Sequence, residues 1–246
     1  MLTHSAVSKS TLHPSLLRNS HVSNLHSESG QRASVVEAEI EHGSLDQLLR
    51  AVGGHTYYPR KVEIVHEDEA ADRLYKVLSG TVCTSKILND GRRQIGGFYM
   101  AGDIFGLECG EAHTMAAETI TDASILIVKK NVLATLANRN AWISTQLLLL
   151  TARELARVQN RVLLVSSKSA QERVVGFLLE MSTRAGASGD VLELPMSRQD
   201  IADYLGLTIE TVSRTLWQLE SCGAIEISRS RCILLRSRST LARAQQ

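Results

Sequence analysis

Apolar residues change their spacing along this chain, and each change marks a different element. Residues 1 to about 43 show no sustained periodicity, and Ser occurs nine times in the first 34, as in a flexible arm. Ser44 to Ala51 reads as a short helix. From Tyr57 to Lys129 short β-prone runs alternate with glycines. Lys61–Val65, Leu74–Leu78, Thr81–Leu88, Gln94–Tyr99 and Ser124–Val128 read as strands, with Asn89-Asp-Gly91 as a turn. Many short strands with regular turns predict an antiparallel roll or barrel. Asn131 to about Val165 then takes on a helical period. Within it Leu148, Thr151, Leu155, Val158, Val162 and Val165 follow alternating steps of three and four, the seam of a two-helix coiled coil, with Thr151 its weak point. A helix packed on its own roll is the alternative. Ser166 to Ser169 is a plausible hinge, and Glu172 to Met181 a further helix.

The last helical pattern is the most punctuated. Pro195 cannot sit inside a helix, so the helix starts after it, with Ser197 as N-cap. Ile201, Ala202 and Leu205 share one face, and Gly206 stands where a left-handed C-cap belongs. Leu207 is expected to be a buried turn residue. Thr208 caps a second helix with Val212, Leu216 and Leu219 as its stripe. Two capped helices joined by a Gly-containing turn predict a helix-turn-helix. Ala224–Ile227 and Cys232–Arg236 then read as two strands around a polar turn, a wing. The domains are expected at 1–43 (arm), 44–130 (β-roll), 131–166 (dimerisation helix) and 167–246 (winged helix-turn-helix). The fold class is α+β: an N-terminal antiparallel β-roll of cupin-like jelly-roll type, a long helix and a C-terminal winged helix-turn-helix.

Composition narrows this picture only a little. With 27 basic and 26 acidic residues the net charge is +1, so any affinity for nucleic acid must come from a local surface. No apolar run approaches the ~18 residues of a membrane helix. No secretory leader is visible, and the four cysteines are widely spaced, which together point to a reducing cytoplasm. The absence of acidic residues before Glu28 resembles a transit peptide, but the Ser/His richness and His13-Pro14 fit a disordered tail better. Five histidines in the arm (His4, His13, His21, His26, His42) are irregularly spaced, so no metal site is expected.

The candidate chemistry lies on the outward face of the second short helix. Arg214 suits a bidentate contact to the O6 and N7 of guanine, and Glu210 suits the N4 amino group of cytosine while bracing Arg214 from one turn away. Ser213 serves base or phosphate. Ser197, Arg198, Gln199, Thr208 and Thr211 suit phosphate oxygens. From Arg229 onward there are five arginines (229, 231, 236, 238, 243) and no acidic residue, so Arg229 and Arg231 at the wing tip reach for the DNA backbone. The plain alternative is a solvated helical pair in which Glu210 and Arg214 form an ordinary surface pair. Cys222 and Cys232 lie near the DNA surface as candidate redox thiols, although a bystander role is commoner, and Cys83 and Cys109 are expected in the core.

Roll, long helix and C-terminal helix-turn-helix in this order resemble the CRP/FNR superfamily of bacterial transcription regulators over most of residues 45 to 236. The specific pieces are Ser197-Arg-Gln-Asp-Ile-Ala-Asp-Tyr-Leu-Gly206 and Glu210-Thr-Val-Ser-Arg214. Glu-x-x-Ser-Arg is similar to the FNR branch. It implies a homodimer on double-stranded DNA, with half-sites like TTGAT read by Glu210, Ser213 and Arg214. Ile209 stands where the cyclic-AMP receptor has a base-reading Arg. The stretch Gly102 to Glu118, where cyclic-nucleotide members carry a phosphate-binding Arg, has none. No Cys precedes Cys83, so the N-terminal ligands of an oxygen-sensing iron–sulfur cluster are missing. No cofactor is therefore expected, and the chain resembles the FixK group, regulators of nitrogen-fixation and microaerobic-respiration genes. The resemblance also implies an activator whose Asn89–Arg93 hairpin touches RNA polymerase. The competing readings are a regulator gated by haem or a small effector, with the isolated His66 and His113 as weak haem ligands, and an enzyme with a DNA-binding tail, for which no catalytic grouping is visible.

Overall fold

The computed structural model describes residues 44–184, 191–229, 231–236 and Leu241. The arm with its five histidines, together with Ser230, Arg238 and Arg243, lies outside the described residues. Helix α1 (Leu45–Val52) starts at a reciprocal cap: Gln47 N–H donates to the Ser44 hydroxyl at 3.3 Å, and Ser44 N–H to the Gln47 amide oxygen at 2.8 Å. Its Leu48 and Leu49 are buried.

Eight strands follow: β1 (Gly54–Tyr58), β2 (Glu63–Val65), β3 (Arg73–Ser79), β4 (Thr81–Ile87), β5 (Arg93–Met100), β6 (Ile104–Phe105), β7 (Ala116–Thr119) and β8 (Ala123–Lys129). They form two four-stranded antiparallel sheets, in the orders β1-β8-β3-β6 and β2-β7-β4-β5. Inward-facing residues fill the roll: Val77, Val82 and Ile125 are buried, and Tyr75 stacks on Phe105 with ring centroids 4.9 Å apart. The turn from β3 to β4 requires Gly80. Its φ is +81°, and a Cβ there would lie 2.1 Å from the Asp122 carbonyl oxygen. All five strands read from the sequence are present, with shifted ends. The strands that went unread, β1, β6 and β7, are short or polar and are held by their ladders rather than by a hydrophobic pattern.

The helical region 131–165 is two helices, α2 (Lys130–Arg139) and α3 (Ala141–Ser167). Asn140 breaks it. Its backbone is extended, and its side chain accepts the Trp142 N–H at 2.9 Å, the ordinary act of an N-cap. The chain then passes through Lys168, also extended, into α4 (Ala170–Arg184), so the expected hinge coincides with a real helix break. Strand β9 (Val191–Glu193), helices α5 (Arg198–Leu205) and α6 (Ile209–Ser221), and strands β10 (Ile225–Arg229) and β11 (Cys232–Leu235) complete the described chain. The wing is a three-stranded sheet, β10-β11-β9, one strand more than the sequence pattern showed.

From Val52 onward the chain packs as one unit. Strand β5 is where the roll meets the helices. Phe98 of β5, Phe177 of α4 and Tyr204 of α5 pack together with centroids 5.1–6.2 Å apart. Arg161 of α3 lies over the Tyr204 ring at 4.6 Å, donates to the Ile95 and Gly96 carbonyls, and reaches the Tyr204 carbonyl at 3.4 Å. Burial holds the Arg161 guanidinium below its ordinary pKa. Replacing Arg161 with Met should keep the stem but take its guanidinium away from the Gly96 and Tyr204 carbonyls, while the Ile95 carbonyl keeps the Gln94 side-chain amide at 3.3 Å. We expect a loss of about 2–4 kcal/mol in chemical denaturation; a variant as stable as the parent would show that the clamp contributes nothing.

Candidate nucleic-acid interface

Helices α5 and α6 are capped as their residues dictate. The Ser197 hydroxyl accepts the Asp200 N–H at 3.1 Å, and the Asp200 carboxylate takes both the Ser197 N–H (2.8 Å) and its hydroxyl (2.6 Å). Gly206 ends α5 with φ +63°, in the left-handed region that L side chains avoid. Leu207 is half-buried against the core rather than fully buried. Thr208 caps α6 by accepting the Thr211 N–H at 3.2 Å. Val212, Leu216 and Leu219 are buried as the stripe predicts, and Thr215 joins them.

The opposite face of α6 is open. Glu210 and Arg214 are exposed and Ser213 is half-buried. Arg214 has no hydrogen-bond or ion-pair partner among the described residues. The Glu210 carboxyl is held below the usual carboxylate range by its own backbone N–H and by the Thr208 hydroxyl. The expected Glu210–Arg214 brace is absent from the described ion pairs, because Glu210 turns to the cap instead. Arg198 reaches from α5 to the Ser213 hydroxyl at 3.5 Å, so it ties the two helices together. Gln199 is exposed and bonds Asp203 at 2.6 Å. Ser197 is half-buried with both of its donors committed to Asp200, whereas Thr208 is exposed and Thr211 half-buried. Arg229 and Arg231 are exposed at the wing, and Arg236 pairs with Glu226.

Sequence reasoning missed what positions this head. Arg93 of β5 pairs with Asp200 at 2.8 Å and lies 3.6 Å from Asp203, and Gln94 donates to the Asp203 carbonyl at 2.7 Å. Arg93 therefore faces inward, while the rest of the expected polymerase-contacting hairpin is exposed except for half-buried neighbours at its base: Asn89, Asp90, Gly91 and Arg92 all face solvent. That hairpin borders a cleft of about 730 Å³ shared with Gln199 and the start of α6, a neighbourhood that no local pattern reveals. Asp200 itself was legible as the fourth residue of a Ser-x-x-Asp cap.

Along α3 the seam residues Leu148, Thr151, Leu155, Val158 and Val162 are exposed, Leu148 at 69%. The Thr151 hydroxyl donates to the Leu147 carbonyl at 3.0 Å, so its polar group is satisfied within α3. Val165 is half-buried with its Cγ1 close to Gly206. The roll-facing side of α3 is polar: Arg157 pairs with Glu154 at 2.8 Å and lies over Tyr99. Among the cysteines, Cys83 is buried with its thiol pushed up to about 12 by burial, and Arg93 donates to its sulfur at 3.3 Å. Cys109, expected in the core, is exposed, because it sits in the irregular connection between β6 and β7. Cys222 is exposed and Cys232 intermediate. His66 faces solvent beside Glu63, and His113 is buried next to Tyr75 and Glu108, so the two imidazoles have unlike surroundings. No described group of three His, Cys, Asp or Glu residues has the arrangement of a metal site. No helix among the described residues is long and apolar enough to cross a membrane.

Two family profiles match, the Crp-like helix-turn-helix domain over residues 172–244 and the cyclic nucleotide-binding domain over 55–140. The chain is 44% identical to the nitrogen fixation regulation protein FixK of Azorhizobium caulinodans over 80% of its own length and 81% of that protein's. Against FixK of Rhizobium meliloti it is 40% identical, covering 72% and 80%. The chain belongs to the FixK-like group of the CRP/FNR superfamily. The solved structure of FixK2 from Bradyrhizobium japonicum superposes with a TM-score of 0.76 at 45% identity, over 79% of this chain and 98% of that one. These relatives are transcription regulators rather than enzymes. The match to a cyclic nucleotide-binding domain describes the roll. In this chain the cations that reach the Gly102–Glu118 stretch come from outside it, Lys130 to the Glu108 carbonyl (2.5 Å), Arg93 near Glu118 (3.8 Å) and Arg184 to Asp103 (2.5 Å).

Asp200 links cap and clamp, and its charge is under two opposed influences. Burial disfavours the carboxylate, but the hydrogen bonds from Ser197 and Arg93 outweigh it and hold the pKa below the ordinary 3.8. A depressed carboxyl stabilises the folded state at neutral pH, and that contribution disappears as pH falls through its folded pKa. Asp200→Asn should lower stability by about 1–3 kcal/mol near pH 7, with the gap to the parent narrowing below about pH 4. A gap that stays constant from pH 7 down to pH 3 would refute the assignment.

Proposed function

We propose that this protein is a homodimeric, cytoplasmic transcription activator that reads a TTGAT-like palindrome and controls nitrogen-fixation or microaerobic-respiration genes. The observation that carries the reading is the unpartnered, exposed Arg214 on the outward face of a capped α6, with Glu210 and Ser213 beside it. A guanidinium free of protein partners is available to the O6 and N7 of guanine. Glu210, kept ionised by the helix start, accepts from a cytosine amino group. Arg198, Gln199, Thr208 and Thr211 serve the phosphates. Ser197 acts through Asp200, by setting where α5 begins. The FixK relatives, nitrogen fixation regulation proteins, support the nitrogen-fixation part of that regulon, and the missing Arg in Gly102–Glu118 supports action without a cyclic nucleotide. The exposed hairpin tip Asn89–Arg92 is the proposed contact to RNA polymerase, with Arg93 holding its base to α5.

The reading keeps the arm, roll, long helix and winged helix-turn-helix as working units, with the seam on α3 pairing two copies. An exposed stripe of Leu148, Leu155, Val158 and Val162 is unfavourable in water and is covered by the same stripe of a second copy. Val165 ends the seam next to the helix-turn-helix turn, where pairing of α3 and placement of the head meet. Two heads related by a two-fold axis then face successive major grooves about one DNA turn apart.

In mobility-shift titrations against a TTGAT-N4-ATCAA duplex, Arg214→Ala should lose about 1–3 kcal/mol on the cognate site and little on scrambled DNA. Arg198→Ala should weaken both duplexes alike. Equal losses on both duplexes for Arg214→Ala would defeat the base-reading role. Introducing a charge into the seam with Leu155→Glu should turn a dimer into a monomer in sedimentation and abolish high-affinity operator binding; an intact dimer would exclude this seam.

A further inference from the structure

Trp217 is the most exposed large apolar side chain of α6, and the reading above does not use it. It follows Glu210 by seven residues, Ser213 by four and Arg214 by three, so it shares their face and lies away from Val212, Leu216 and Leu219. Its side chain is 64% exposed, the most exposed large apolar residue outside α3 among the described residues. Among the described residues its ring makes no aromatic or cation–π contact and its indole N–H has no hydrogen-bond partner. A bare indole of this size on a helix is unfavourable in water unless something covers it.

We propose that Trp217 is a sequence-independent DNA contact, its ring laid against the sugar–phosphate strand that walls the major groove and its Nε1–H donated to a phosphate oxygen. The proposal rests on α6 being the reading helix. At 1.5 Å per residue Trp217 stands about 10 Å along the axis from Glu210. The groove is about 12 Å wide, so a side chain that far from the base-reading end meets its wall rather than its floor. Indole is a donor without an acceptor, which suits a strand of phosphate oxygens better than the mixed edges of bases. A second copy is covered by other surface, the α3 stripe, whereas Trp217 is continuous with Glu210 and Arg214.

The chain has two tryptophans, so Trp142→Phe leaves Trp217 as its only indole. In that full-length protein, adding the TTGAT-N4-ATCAA duplex should change the emission, with saturation at the DNA concentration that saturates the mobility shift. Trp217→Ala should weaken binding to cognate and scrambled duplexes by the same factor, roughly 3- to 10-fold. Its melting temperature should match the parent's, and the salt slope should not change, because no charge is lost. Trp217→Phe should fall between the two. The proposal is overturned by unchanged emission at saturating duplex, by parental affinity in Trp217→Ala, or by a loss confined to the cognate duplex. Parental DNA affinity with loss of transcription in the presence of polymerase would likewise overturn it and assign the face to polymerase. If the parent shows no preference for the cognate duplex, the reading of α6 itself fails; if that preference stands while Trp217→Ala is silent, only the Trp217 contact fails.

Discussion

The main ties between the roll and the helices that follow it are made by strand β5. Its Phe98 fills the space between Phe177 and Tyr204, its carbonyls at Ile95 and Gly96 receive Arg161, and its Arg93 holds Asp200. One strand thereby ties together the roll, α3 and the first helix of the helix-turn-helix. The ties are mostly charged groups meeting carbonyls and carboxylates, which are directional. An apolar joint alone would bind the parts but leave their angle loose.

The polar character of that joint explains the two-sided α3. On the side toward the roll it offers Glu154, Arg157 and Arg161, and these find Tyr99, Phe98 and the β5 carbonyls. Ile143 and Leu164 are buried within the chain, and Leu148, Leu155, Val158 and Val162 are left on the exposed side. A helix that buried its leucines in its own roll would have no surface for a second copy. Dividing the labour by face lets one helix hold its position in the chain with hydrogen bonds and keep hydrophobic area for the proposed pairing with a second copy.

Asp200 shows how closely local and tertiary roles are joined. As a cap it organises the start of α5 with Ser197; as an acceptor it fixes that helix to Arg93. The same carboxylate thus sets both where the helix begins and where it points. Arg214, by contrast, is unheld. Its guanidinium is free of partners among the described residues, as the proposed base-reading role requires, and the surrounding cap, turn and stripe hold its backbone in place instead.

The division between what could be read and what could not follows from range. Caps, the Gly206 turn, the buried stripe of α6, the apolar stripe of α3 and the five strongest strands are each set by interactions within a few residues, so the order of residues alone was enough to find them. With those in hand, the roll, long helix and reading helix followed, and so did the family. Asn140 as a helix break was also local and went unread only because the apolar period carries through it. The polar strands β1 and β7, the two-residue β6, the third wing strand β9, the exposure of Cys109, and the inward turn of Arg93 toward Asp200 were decided by the tertiary structure. The strands and the Arg93 pair each depend on a partner tens of residues away, and hydrogen-bonded pairing of that kind leaves no periodic trace in the chain that makes it; Cys109 is exposed because its segment is irregular.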